Sequence, residues 1–454
     1  MSKLQQDFTQ GNIAEHLVKF SLPFLLSNLL QALYSVADML IVGMFCSTEA
    51  LAGVNMGGQV TNLVVMLVSG LTVGGTVLVA QYFGAHKEQD VKETIGTLFS
   101  LLALLGVALS LVMLYFSEPV LRLLQTPEEA VEPAKEYLNI CLLGTIFVFG
   151  YNAISSIQRG LGDSKRPLYF VAVACVINVG LDLLLVGPFE MGPAGAAWAT
   201  IAAQGISMIL AAVFLAKNKF IFDFKLKSFA IKKDKMRLLF QLGLPNSIQS
   251  VTSNLSFLLM TALVNGFGLA ATAAAGVASK FNSFAILPAL AMSASVSSIA
   301  AQNIGADQFD RARQSLGMGV KIAMALSAIV FALVQLFPQA ILSLFSNDSE
   351  VIACGVSYLR AFSFDYLVVP TVFCINGLVN GSGHTTFSLI NGMLSSIILR
   401  MPVAYLLSMT PLGLTGIGLA APMASLGSLA LGMWFYKSGR WLKNTTGISR
   451  SLEA

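Results

Sequence analysis

Four residues in the first half of the chain have types and spacing that suit ion chemistry. Asp38 is the one carboxylate in an apolar run from about Leu22 to Phe45, and Asp182 lies in a later run, four residues after Asn178. A charge in hydrocarbon costs roughly 3 kcal/mol on insertion scales, so intramembrane acids mark ion or substrate pathways. Asn178 and Asp182, spaced i, i+4, share one helical face. At a helical rise of about 1.5 Å per residue, Asp38 falls about 10 Å below the end of its run at Phe45. Asp182 has a similar depth below Gly187, and Thr200 lies about 9 Å into the run that begins near Ala194. Two carboxylates, an amide oxygen and a hydroxyl at one level are hard donors suited to Na⁺, and the acids alternatively hold protons. Two such acids repel. A cation or proton relieves that repulsion, and its release restores it, which biases the bend of the first run at Pro23.

The elements that position these residues follow from composition. Of 454 residues, 56% are hydrophobic and 11% charged, against about 25% charged in soluble domains. Twelve apolar runs recur, centred near residues 30, 68, 104, 144, 177, 205, 253, 289, 327, 365, 398 and 427. Each is long enough for a hydrocarbon core about 30 Å thick. The runs are continuous, which excludes an outer-membrane barrel and predicts an all-α integral membrane protein. Four of the five cysteines lie in apolar runs without C-x-x-C pairing, so no disulfide framework or zinc site is indicated. The three histidines fall near segment ends, which disfavours a histidine relay. Asp7, Glu15 and Lys19 precede the first run, so a cleavable leader is not expected.

Basic residues set the expected orientation. The stretch from Lys217 to Arg237 is the most basic loop, and Lys87, Lys92, Arg159, Lys165, Arg166, Arg311 and Arg313 fall in loops on the same side. The opposite loops carry mainly acids, which predicts both termini in the cytoplasm and a plasma (inner) membrane location. The net charge of +4 reflects this bias and does not suggest a nucleic-acid partner; the basic loop is expected to touch anionic lipid.

The chain repeats itself at an offset of 221 or 222 residues: Phe20-Ser-Leu-Pro23 meets Leu242-Gly-Leu-Pro245, and Ala80-Gln-Tyr-Phe-Gly-Ala85 meets Ala301-Gln-Asn-Ile-Gly-Ala306. Gly160-Leu-Gly162 likewise meets Gly381-Ser-Gly383. The repeat predicts an N-lobe over 1–216, a linker over 217–237, a C-lobe over 238–437 and a tail over 438–454, pseudo-symmetric six-helix lobes around a central cavity. Such parallel repeats are characteristic of transporters. Pro23 and Pro245, each in the first run of its half, remove a backbone hydrogen bond and are candidate hinges.

The second half carries its own charges. Asp365 and Arg400 both fall near mid-membrane, where a structural ion pair is the plain expectation. Arg400 aligns by the repeat with Val179, beside Asn178, so its fixed guanidinium stands where the first half takes an exchangeable cation. Lys280 is expected to snorkel or to face the cavity. Met39, Met66, Met260 and Met292 are candidates for a soft, adaptable cavity lining.

The chain resembles the multidrug and toxic compound extrusion (MATE) family. Phe8-Thr-Gln-Gly11, Phe20-Ser-Leu-Pro23 and Asp38-Met-Leu-Ile-Val-Gly43 are similar to that family's first span. Gln158-Arg-Gly-Leu-Gly-Asp163 and Gln302-Asn-Ile-Gly-Ala306 resemble motifs after its fourth and eighth spans. The resemblance implies twelve helices in two lobes and export of amphipathic, mainly cationic compounds in exchange for Na⁺ or H⁺; no other cofactor and a monomeric unit are expected. Asp38, Asn178, Asp182 and Thr200 match the DinF-like and archaeal branch, with Tyr137 and Asn152 as fourth-span candidates. Ser253 and Asn380 stand where the NorM-type branch has C-lobe acids.

Three other functions compete. Gly160-Leu-Gly-Asp163 matches the G-x-G-D pattern of intramembrane aspartyl proteases, but its repeat counterpart ends in His384 and lacks the acid, so a shared glycine turn explains it. A lipid-linked oligosaccharide flippase needs several basic groups for diphosphate, and the runs offer almost none beyond Lys280 and Arg400. A channel would show rings of one charge sign or a carbonyl filter, and neither is present.

Overall fold

The computed structural model describes residues 5–218, 220–443 and 445–448, and it is helical throughout. The first half comprises α1 (Ile13–Phe45), α2 (Thr48–Gly84), α3 (Glu88–Leu123), α4 (Glu128–Leu143), α5 (Thr145–Gly160), α6 (Lys165–Val186) and α7 (Gly192–Lys217). The second comprises α8 (Lys233–Asn265), α9 (Leu269–Ala285), α10 (Leu287–Gly305), α11 (Phe309–Leu336), α12 (Pro338–Ser343), α13 (Ser349–Ser363), α14 (Val369–Gly381), α15 (Thr385–Met393), α16 (Arg400–Ser408) and α17 (Gly413–Lys437). Lys219 of the linker, Asn444 and residues 449–454 of the tail lie outside the described residues.

Among the described residues, ten helical stretches are long and apolar enough to cross a membrane, and up to twelve if each of two bent pairs is one span. The bent pairs are α4 with α5, at 50°, and the segment Ser349–Leu367 with α14, at 42°. They occupy equivalent places in the two halves. The first break falls at Gly144, where a Cβ would lie 2.2 Å from Ile201 of α7, so no side chain fits. The second falls at Val368, just after the 3-10 turn Phe364–Leu367 that carries Asp365, and is followed by Pro370 in the first turn of α14.

Two compact units divide the chain. One holds Leu26–Ser247 with the residues up to Asp7; the other holds Phe8–Leu25 with Ile248 onward. The start of α1 therefore packs in the second unit, although the sequence assigns it to a 1–216 lobe. Phe8, Leu17 and Phe20 are buried there with Met292, Val296 and Ile299. Gln302 Oε1 accepts from the Phe8 N–H at 2.9 Å, and Arg311 donates to the Phe8 and Gly11 carbonyls, each at 3.1 Å. Conversely, the start of α8 packs in the first unit, where the Ser247 hydroxyl donates to the Leu67 carbonyl at 2.6 Å. Gly70 leaves room for this contact, since a Cβ there would lie 2.2 Å from the Ser247 nitrogen. Each division falls two residues beyond a proline, Pro23 or Pro245, inside a helix that runs through it without interruption.

Lys235 departs from its expected place in a lipid-touching loop. It is buried, paired with Asp90 and Asp234, and 2.9 Å from the Tyr82 hydroxyl. By the repeat, Asp90 and Tyr82 correspond to Arg311 and Asn303, so the same two places hold the incoming segment in each unit, Lys235 of α8 in the first and Phe8, ahead of α1, in the second.

Candidate functional site

Within the first unit, the C-terminal part of α1 packs against α2, α4, α6 and α7 through Ile41, Val42, Val54, Tyr137, Val186 and Ala196. The Cys175 thiol donates to the Leu30 carbonyl, and the Ser207 hydroxyl donates to that of Phe170 at 3.0 Å, which holds α6 beside α1 and α7. This frame sets Asp38 of α1 within electrostatic range of Asp182 of α6. Asp182 is fully buried, Asn178 is 2% exposed, and Asp38 and Thr200 are half-buried. Asn178 and Thr200 together line a narrow cleft that also takes in Gln31, Tyr34, Tyr151 and Gln204.

The electrostatics of this cluster are set by what is missing around it. Asp38 Oδ1, both side-chain atoms of Asn178, both carboxylate oxygens of Asp182 and Thr200 Oγ1 are buried without a hydrogen-bond partner among the described residues. Buried polar groups left unmatched cost about 1–3 kcal/mol each, and native proteins rarely collect several in one place. Asn178 and Thr200 line the cleft, whereas Asp38 and Asp182 do not; all four carry hard oxygen donors of the kind that suit Na⁺.

Tyr137 is buried beside Cys141 and within electrostatic range of Asp38. Asn152 is turned to its own helix, donating to the Val148 carbonyl at 2.9 Å, and does not line the cleft. Gln31, Tyr34 and Gln204 escaped the sequence reading. Tyr34 stands one turn before Asp38, and the two glutamines are polar residues in apolar runs, so spacing alone contained the signal.

In the second unit, Arg400 Nη2 lies 3.8 Å from Asp365 Oδ2. A six-residue π-helix, Leu394–Leu399, leads directly into Arg400. Met260 lines a cavity in this unit, whereas Met292 is buried in the hydrophobic core, Met39 is exposed and Met66 is half-buried against its neighbours. Lys280 is exposed and does not line that cavity. Ser253 lines it too, and Asn380 Oδ1 is buried without a partner among the described residues.

The G-x-G-D stretch is a turn. Asp163 pairs with Arg166 and accepts from the Lys165 and Arg166 amides at 3.1 and 3.2 Å, capping α6. Gly162 and Gly383 hold the left-handed region at φ +88° and +84°, so both halves use the same glycine for the same bend.

A family model, MatE, matches the chain twice, over residues 23–184 and 245–406. YpnP, a probable multidrug resistance protein of Bacillus subtilis, is 32% identical over 96% of this chain and 97% of its own length. YoeA, another probable multidrug resistance protein of that bacterium, is 32% identical over 92% of each. A solved outward-facing multidrug resistance MATE family transporter of the MOP superfamily shares the fold, with a TM-score of 0.90 at 23% identity over 96% of this chain and 98% of that one. The duplicated helical plan, the two family matches and the full-length relatives together show that this chain belongs to the MATE family of multi-pass membrane transporters, which are not enzymes.

Proposed function

We propose that the protein exports amphipathic, mainly cationic small molecules by alternating access, in exchange for Na⁺ or H⁺ taken up at Asp38 and Asp182. The observation that carries this reading is the group of buried, unpartnered oxygens on Asp38, Asn178, Asp182 and Thr200. Asp38 and Asp182 supply the negative charge, and Asn178 and Thr200 supply neutral donors that complete a small-cation shell. Filling the site removes the repulsion between the acids, and emptying it restores that repulsion, so the conformation of α1 responds to the ion. Pro23 and Pro245 serve as hinges in this scheme, each two residues from the point where its helix changes unit. The names of the Bacillus subtilis relatives support drug-like cargo.

The orientation that goes with this reading has both termini in the cytoplasm of a plasma (inner) membrane, following the basic stretch from Lys217 to Arg237. The N-lobe chemistry is of the DinF-like and archaeal kind, and the functional unit is a monomer with lobes over 1–216 and 238–437.

The test is efflux of a cationic dye from proteoliposomes under separately imposed Na⁺ and proton gradients. One of the two gradients accelerates efflux in the unaltered protein, and Asp38→Asn removes the acceleration while leaving reconstitution unchanged. Gradient-driven efflux persisting in Asp38→Asn rules out the assigned role.

A further inference from the structure

The second unit contains a cavity of about 580 Å³, and the exchange scheme assigns it nothing. That volume lies within the range of drug-sized binding sites, about 300–1,000 Å³. Phe257, Tyr358, Phe362 and Phe373 give it a broad aromatic wall, and Asn376 and Ser396 add polar points.

Its charged lining is Asp365 and Arg400. The two side chains are unequally presented. Arg400 is 28% exposed and Asp365 only 6%, so a molecule entering the cavity meets the guanidinium first. Their 3.8 Å separation is too long for a hydrogen bond, so Asp365 balances the charge without occupying the guanidinium's donors. Arg400 Nε is buried with no partner among the described residues. A guanidinium left with free donors at a cavity wall is matched by a planar oxyanion, which accepts two parallel N–H groups. An ammonium group is opposed by the same exposed charge. The backbone supports a built site: the π-helix Leu394–Leu399 precedes Arg400 and contributes Ser395 and Ser396 to the wall. Such π segments recur at functional sites.

We propose that this cavity is a second ligand site, one that takes an amphipathic carboxylate, with an aromatic or alicyclic body along the wall and its –COO⁻ forked onto Arg400. The site is chemically opposite to the acidic cluster of the first unit and does not depend on which ion, if any, that cluster binds.

The test uses the full chain in lipid nanodiscs and three fluorescent probes sharing one dansyl body: dansylglycine, its uncharged amide, and an ammonium analogue. The carboxylate binds about ten-fold more tightly than the amide, and the ammonium binds weakest. Arg400→Gln lowers carboxylate affinity to the level of the amide. Arg400→Lys keeps the charge without the fork and lowers the preference several-fold. Gly276→Phe provides an arm that leaves the ion pair intact. Gly276 lines the cavity, and a Cβ built there meets nothing within 4 Å, so the ring enters open space and blocks all three probes. Equal binding of carboxylate and amide by the unaltered protein overturns the proposal. So does a carboxylate preference that survives in both Arg400 variants, or unchanged probe binding in Gly276→Phe.

Discussion

The two halves share a duplicated set of lining positions and carry different charges on it. By the repeat, Gln31 corresponds to Ser253, Gln204 to Ser425 and Thr200 to Ala421, and each of these residues lines the cleft or cavity of its own unit. The charged positions are exchanged. Asp38 is replaced by Met260 and Asp182 by Val403, while Val179 gives way to Arg400. The first unit thus carries two acids on α1 and α6, and the second carries a guanidinium 3.8 Å from the carboxylate of Asp365. The backbone differs as well, since α6 runs unbroken where the second unit inserts the π-helix Leu394–Leu399. Duplication conserved the scaffold, and the chemistry diverged at a few positions on it.

This contrast is broken most severely by removing an acid. Asp182→Asn lowers gradient-driven dye efflux by at least about ten-fold. If Asp38 and Asp182 act as one site, Asp38→Asn/Asp182→Asn is no worse than Asp38→Asn alone, a non-additivity that efflux rates in a double-mutant cycle measure. Additive losses mean that the acids work at separate sites.

Stability provides the next test, with opposite signs in the two units. Arg400→Met leaves Asp365 buried and unpaired, which costs on the order of 3–5 kcal/mol, and Asp365→Leu/Arg400→Met recovers most of that loss. In the first unit Asp182→Leu removes a repulsion and raises the midpoint of thermal unfolding. Unfolding in detergent, with the ion omitted, compares the variants. A double variant as unstable as Arg400→Met shows that the pair is held by more than mutual charge balance.

Much of the fold was legible because hydrocarbon imposes long, continuous apolar runs and duplication leaves matching motifs. The twelve runs correspond to ten helical stretches and two bent pairs. The bends themselves were hidden: at Gly144 the space a side chain would need is filled by Ile201, more than fifty residues later. Lys235 misled for a similar reason. A lysine in a basic stretch reads as exposed, and only the tertiary fold brings Asp90 to it. In the candidate site, Asn178 and Asp182 were readable from their i, i+4 spacing, whereas Asp38 needed only its isolation in an apolar run. Met292 was not separable from a cavity methionine, since core and cavity wall present the same apolar periodicity.

The smallest effect concerns a single hydroxyl. Thr200 Oγ1 is buried without a partner among the described residues, and in the second unit its counterpart is Ala421. If the hydroxyl is one ligand among four, Thr200→Ala weakens ion binding by about 1 kcal/mol, roughly five-fold, without abolishing it. The ion concentration giving half-maximal dye efflux then rises by that factor while the maximal rate holds. The reciprocal change, Ala421→Thr, adds a hydroxyl to a cavity whose one carboxylate, Asp365, is already balanced by Arg400, so it creates no second ion dependence. An unchanged half-maximal concentration in Thr200→Ala removes Thr200 from the ligand set. A new ion dependence in Ala421→Thr would show that the scaffold, more than the acids, selects the ion.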